Sequence, residues 1–279
     1  MRTVARPEFE VGDTFRKCNV GAHGADLRRR LERAVPDVED ASEDFADHAE
    51  EQNSHLVARR SRLRGLLTGD ELRAAYRRMS GKRNRGRPVY DAIKLLPDNG
   101  TCPYCDHGTV STLDHFLPKT HYPILCVTPD NLVGCCKDCN TAKAEIYPSN
   151  ASDAVLHPYF DDVTQNPWLV AQVVQGAVPA VVYRTEPQED WPDELNNRVA
   201  HHFRTFELGT IYSKQAARTI SGEKRLLTTL HRNGGVDQVR SDLNRKYESW
   251  CEYSVNCWQA VMYQALSESD WYCETGHAL

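Results

Sequence analysis

The 279-residue chain has no long apolar run. No stretch approaches the roughly 18 to 20 uninterrupted apolar residues that a membrane helix needs. The opening segment, MRTVARPEFEVGDTFRK, has no apolar core of the kind a secretory signal carries. Such a chain is expected in the cytoplasm, away from the membrane. An internal repeat, a long low-complexity tract and a Gly-rich phosphate loop are also missing. Charge of one sign does not dominate: the formal net charge is −5, which argues against a wholesale polyanion binder but leaves room for a local basic surface.

What is present is unevenly distributed. Leu27, Leu31 and Val35 stand at helical spacing and meet Pro36, so a short amphipathic helix is expected over 24–35. An acidic run from Asp37 to Glu51 follows, and Phe45, Ala49 and Leu56 offer it an apolar seam. The sign then reverses, with eleven Arg or Lys residues over 59–87 against Asp70 and Glu71. Thr68-x-x-Glu71 has the form of a capping box, and Leu72, Tyr76 and Met79 give its helix one buried face. SGKRNRGRP (80–88) reads as a basic loop. Such a block suits phosphate contact, because neutralised phosphates release counterions.

Beyond residue 151, WLVAQVV and AVPAVVYR read as a β-hairpin whose Pro179 points to an edge strand. Leu195, Val199, Phe203 and Phe206 mark a helix after it. From Val239 through Leu243, Tyr247, Trp250, Ser254, Cys257 and Val261 to Ala265, one stripe is expected to run along a helix over 236–266. That stripe suits a core, a homo-oligomer contact or a docking face that includes Trp250, Trp258 and Tyr263.

Four of the ten cysteines form two C-x2-C pairs, Cys102/Cys105 and Cys136/Cys139, separated by thirty residues. Two such knuckles can supply a closed shell of four thiolates for structural zinc, which leaves no position open for catalysis. Cys135 competes with Cys136 for the second knuckle, but only Cys136 restores the spacing. His107 is an alternative ligand, and most of the remaining cysteines are expected as buried free thiols. Between the knuckles, strands are expected around Val110–Asp114 and over NLVGCC, with LPKTHYP as a loop and KDCNTAKAEIY opening a helix. Strand, loop, strand and helix make a ββα unit.

Asp114-His115, Asn131 in DNLV, and Cys139-Asn140-x2-Lys143 together resemble the motif of the HNH (ββα-metal) endonucleases, in the branch with two C-x2-C knuckles. The match runs from Cys102 to Glu145. The resemblance implies that Asp114 binds a catalytic metal, that His115 faces the attacking water as general base, and that Asn131 braces the loop bearing His115. The chemistry suits these residue types: imidazole titrates near neutrality, and Asp114 and Asn140 are hard oxygen donors suited to Mg2+ or Mn2+. Asn140 stands where the family often has histidine. Successive strand residues point to opposite faces, so Asp114 and His115 can share a site only where the strand ends or bends. Substrate-contact candidates are Lys143, Lys119, Arg83, Arg85 and Arg87, with His121 beside them.

The expected architecture is therefore α+β and mostly helical. It comprises a helical N-terminal region over 1–96 with the basic patch 59–87, a zinc-knuckle HNH module over 97–150, and a β-hairpin plus helical region over 151–279. The expected activity is metal-dependent hydrolysis of DNA phosphodiester bonds, giving 5′-phosphate and 3′-hydroxyl ends by resemblance; RNA remains open as a substrate. The alternative is a non-catalytic zinc-containing module that binds DNA or a protein, although it leaves the spacing of Asp114, His115 and Asn140 without a purpose. HNH chains with long helical flanks resemble nuclease subunits of Septu-type and retron-linked bacterial anti-phage systems. In those an ATPase accompanies the nuclease, and with no Walker A motif here ATP control would need a separate partner subunit.

Overall fold

A computed structural model describes residues 1–63 and 65–279; Arg64 of the basic block lies outside them. Helix predominates in a mixed α/β architecture, and the chain divides into two compact units, Met1–Asp162 and Val163–Leu279. The regions read as 1–96 and 97–150 thus fall within one unit. Among the described residues, no helix is long and apolar enough to cross a membrane.

The first unit opens with α1 (Val11–Asn19), α2 (Ala25–Arg33) and α3 (Val35–Glu50). The sequence does not announce α1, because its buried face mixes Gly12, Thr14 and Asn19 with Phe15 and Cys18. Pro36 does not end a helix as expected. It sits in the first turn of α3, where a missing N–H costs nothing. Phe45 and Ala49 are buried along α3, but Leu56 lies past its end and is exposed, so the seam stops short of it. Helix α4 (Gly69–Met79) begins with the expected capping box: Glu71 N donates to Thr68 Oγ1 and Thr68 N donates to the Glu71 carboxylate. Its buried face, Leu72, Ala75 and Met79, joins Phe15, Val38 and Phe45 in the core. Helix α5 (Arg87–Leu95) follows, burying Val89 and Ile93.

Strands β1 (Thr112–His115) and β2 (Leu132–Cys135) pair antiparallel, with Thr112 opposite Cys135 and His115 opposite Leu132. Helix α6 (Lys137–Lys143) starts immediately after β2.

In the second unit, β3 (Leu169–Val174) and β4 (Ala180–Thr185) form the expected hairpin, in register from Leu169↔Thr185 to Val174↔Ala180. Helices α7 (Asp193–Thr205), α8 (Leu208–Tyr253), α9 (Trp258–Glu268) and α10 (Asp270–Glu274) complete it. The stripe over 236–266 does not follow one helix. Helix α8 ends at Tyr253, and Cys257 caps α9 by accepting from Ala260 N. Within α8, Gly235 takes φ 68° and ψ −159°. Lys246 nevertheless pairs with Glu223, and these two would lie roughly 35 Å apart along a straight helix at 1.5 Å per residue. The chain therefore doubles back at Gly235, a backbone shape that glycine adopts without a side-chain clash. Trp258 and Tyr263, proposed for an outer docking face, are buried, and Tyr263 donates to Glu223.

Candidate active cleft and cysteine cluster

The four knuckle cysteines are buried, and their Sγ atoms lie within 4.8 Å of one another. A zinc ion with bonds of about 2.3 Å to four thiolates needs sulfur separations of roughly 3.8 Å, and Cys105 Sγ stands 4.0 Å from Cys136 Sγ. Backbone N–H groups support the sulfurs: Gly108 N donates to Cys105 Sγ at 3.3 Å and Cys139 N to Cys136 Sγ at 3.4 Å. The second contact is also the N-cap of α6, so Cys136 serves the cluster and the helix at once. A side chain at Gly108 would stand 2.8 Å from Cys136 Cβ, which makes glycine a requirement of the first knuckle. The Cys136 thiol is pulled down by hydrogen bonds from Cys102, Cys105 and Cys139, while Cys102 is pushed up by its bonds to Cys105 and Cys136. This donor set fits zinc. Cys135, which is buried, and His107, which is exposed, both lie outside the cluster.

The conflict over strand alternation resolves because β1 ends at His115. Asp114, His115, Lys119 and Asn140 line one cleft of about 270 Å³, together with Tyr76, Thr112 and Glu145. His115 is buried, with its Nε2 2.9 Å from the Cys126 carbonyl oxygen. That bond fits the tautomer in which Nε2–H donates and Nδ1 keeps its lone pair. The Tyr76 ring meets the imidazole edge-on, with centroids 4.3 Å apart. Asn131, fully buried, accepts from Leu117 N at 2.7 Å and donates to Leu117 O at 3.0 Å and Leu125 O at 3.2 Å, tying down the loop that leaves His115. Asn140 donates to Thr112 Oγ1 at 3.3 Å.

Asp114 is 2% exposed. Its Oδ2 accepts from Tyr104 Oη at 3.0 Å and pairs with Lys143 Nζ at 3.0 Å. Burial pushes the Asp114 carboxyl up, opposed by the Lys143 charge and then by the hydrogen bonds from Lys143 and Tyr104. Burial also draws His115 down to about 3, helped by the nearby Lys119 charge, so the ring is neutral at pH 7.

The chain is similar to protein ea31 of Escherichia phage lambda. The two are 29% identical over 230 residues, which cover 74% of each. No family model and no solved structure matches the chain.

Several expected contacts require correction. Lys143 does not face solvent: it is fully buried, and its ammonium is spent on Asp114 and, at 2.7 Å, on the His115 carbonyl. Arg87 is partly exposed but engaged, bonded to Asp91 and to Ser80 O and lying over the Tyr90 ring. Arg73 pairs with Asp70, and Arg78 bonds Cys18 O and Asn19. Arg60, Arg62, Arg77, Lys82, Arg83 and Arg85 remain exposed. His121 packs against Tyr147 outside the cleft lining. Two tyrosines of the site, Tyr76 and Tyr104, fall outside the residues that the sequence marks as functional. Tyr76 looks like an ordinary core position of α4, while Tyr104 carries one signal, its place between the knuckle cysteines.

Proposed function

We propose that the chain is a metal-dependent endonuclease of the HNH type, with His115 as general base. The observation that carries this reading is the placement of His115: its imidazole lines the cleft and is anchored through Nε2 to the Cys126 carbonyl, which leaves Nδ1 to accept a proton from water. A base with a pKa near 3 is weak. The negative charge of a phosphodiester entering the cleft would draw that pKa back toward neutrality. Tyr76 fixes the plane of the ring, and the Asn131 bonds hold the turn behind it, so both reduce the reorganisation needed at the moment of proton transfer.

Asp114 and Asn140 would hold Mg2+ or Mn2+, which supplies neutralisation of charge on the phosphoryl and leaving oxygens. The donor types fit a hard cation: a carboxylate and an amide line the same cleft, with space for water and phosphate oxygens. Zinc in the cysteine cluster would be structural, since four thiolates complete its shell. DNA is the proposed substrate, with the exposed Lys82, Arg83 and Arg85 contacting its backbone. A role in bacterial anti-phage defence beside an ATPase partner rests on the resemblance of the motif alone.

The test is incubation of supercoiled plasmid and single-stranded DNA with purified protein and Mg2+. Cutting that EDTA abolishes supports the reading; equal cutting by wild type and His115→Ala removes it. DNA binding without metal-dependent cutting would favour the zinc-containing binding module.

A further inference from the structure

The link between the cysteine cluster and the cleft runs through one side chain. Tyr104 occupies a position between Cys102 and Cys105, so its backbone is fixed wherever the first knuckle is fixed. It is fully buried, and its hydroxyl reaches out of the knuckle to Asp114 Oδ2 at 3.0 Å. Lys143 meets the same oxygen from the other side, at 3.0 Å. Lys143 belongs to α6, whose first turn contains Cys139 and whose cap is Cys136. Both groups that hold the carboxylate are thus anchored to the cluster, one through each knuckle.

The consequence for Asp114 is directional. With two donors on Oδ2 and, among the described residues, none on Oδ1, the carboxylate cannot rotate without giving up one of them. A buried phenol suits this position because it is neutral, adds no charge to repel a cation, and has a rigid ring that transmits the position of its backbone. Phenylalanine at 104 would keep the ring and remove only the donor.

We propose that Tyr104 is a positioning residue that couples the first cysteine knuckle to Asp114, orienting the carboxylate so that Oδ1 alone is presented to a divalent cation in the cleft. The proposal rests on the metal-binding role given to Asp114 above. Residues that orient metal ligands from behind typically affect affinity 10- to 100-fold when replaced.

The experiment measures Mn2+ binding by the zinc-containing protein from the loss of the free-ion EPR signal, in wild type, Tyr104→Phe and Asp114→Asn. Zinc content and the thermal midpoint are recorded for each. Tyr104→Phe is expected to retain wild-type zinc and to unfold within a few degrees of wild type, yet to bind Mn2+ about 10-fold more weakly or worse. A Tyr104→Phe protein with zinc and wild-type Mn2+ affinity, beside an Asp114→Asn protein that binds poorly, overturns the positioning role and leaves Asp114 as a ligand. Absence of Mn2+ binding in wild type, or equal binding by Asp114→Asn, overturns the reading of Asp114 and the proposal with it.

Discussion

Lys143 shows what a single residue can do in two opposed settings. A lysine on an exposed helix face contributes little to stability and much to phosphate contact. A fully buried lysine 3.0 Å from a fully buried aspartate does the reverse. Removing one member of such a pair leaves the other charge unpaired away from water, which costs about 3–5 kcal/mol. Lys143→Met should therefore lower the unfolding free energy measured by urea denaturation by an amount of that order, and adding Asp114→Asn should recover part of the loss. Unchanged stability with weaker DNA binding would instead return Lys143 to the surface role. The residue types in this site are legible in the sequence, since the spacing of the motif picks out Asp114, His115, Asn131 and Asn140. The direction of Lys143 is not, because it depends on which side of α6 packs against β1, and a seven-residue helix with three knuckle-related positions has too little periodicity to reveal it.

Helix ends and turns set the next scale. The capping box of α4 has a second partner, because Arg30 of α2 meets the same Glu71 carboxylate at 2.8 Å. The Arg30 hydrogen bond and then the Thr68 N–H hold the Glu71 carboxyl down to about 2. A carboxyl lowered in the folded state stabilises above its unfolded pKa of about 4.5, and that contribution is lost as pH falls toward 2. Glu71→Gln should accordingly lower the thermal midpoint at pH 7, and the gap from wild type should narrow between about pH 4.5 and 2. The capping box is readable because its four residues are local. The reversal inside α8 is not, because Gly234-Gly235 can sit in a helix interior, and it takes the Gly235 backbone and the Glu223–Lys246 pair to reveal the fold-back. Gly235→Ala forces a non-glycine residue to φ 68° and ψ −159° and should cost about 1–3 kcal/mol in chemical unfolding.

Across the whole molecule, charge is the least legible property. A count of eleven basic residues over 59–87 describes a patch only if their side chains are free to meet a ligand, and three are engaged: Arg73 with Asp70 inside α4, Arg78 across to Cys18 and Asn19 of α1, and Arg87 with Asp91 and the Ser80 carbonyl. The exposed remainder gives the DNA-binding proposal a sharper form. Replacing Lys82, Arg83 and Arg85 together with alanine should weaken binding similarly across DNA sequences. Each lost phosphate contact should also reduce the slope of log K against log salt by about 0.9. An unaltered slope would place the DNA elsewhere. The two cysteine knuckles and the paired β1 and β2 follow from fixed spacings and short hydrophobic runs. The part of α4 that walls the cleft, Tyr76, does not, since contact between residues 76 and 115 is a long-range outcome of packing.

The central claim is that His115 takes a proton from water during metal-dependent hydrolysis. It is tested most directly by single-turnover cleavage of an end-labelled DNA duplex in Mg2+ by wild type and His115→Ala, each with zinc content verified. Loss of a general base should slow the mutant by about 10²- to 10⁴-fold, with wild-type products ending in 5′-phosphate and 3′-hydroxyl groups. Equal rates for the two proteins, or wild-type cleavage that proceeds unchanged in EDTA, would contradict it.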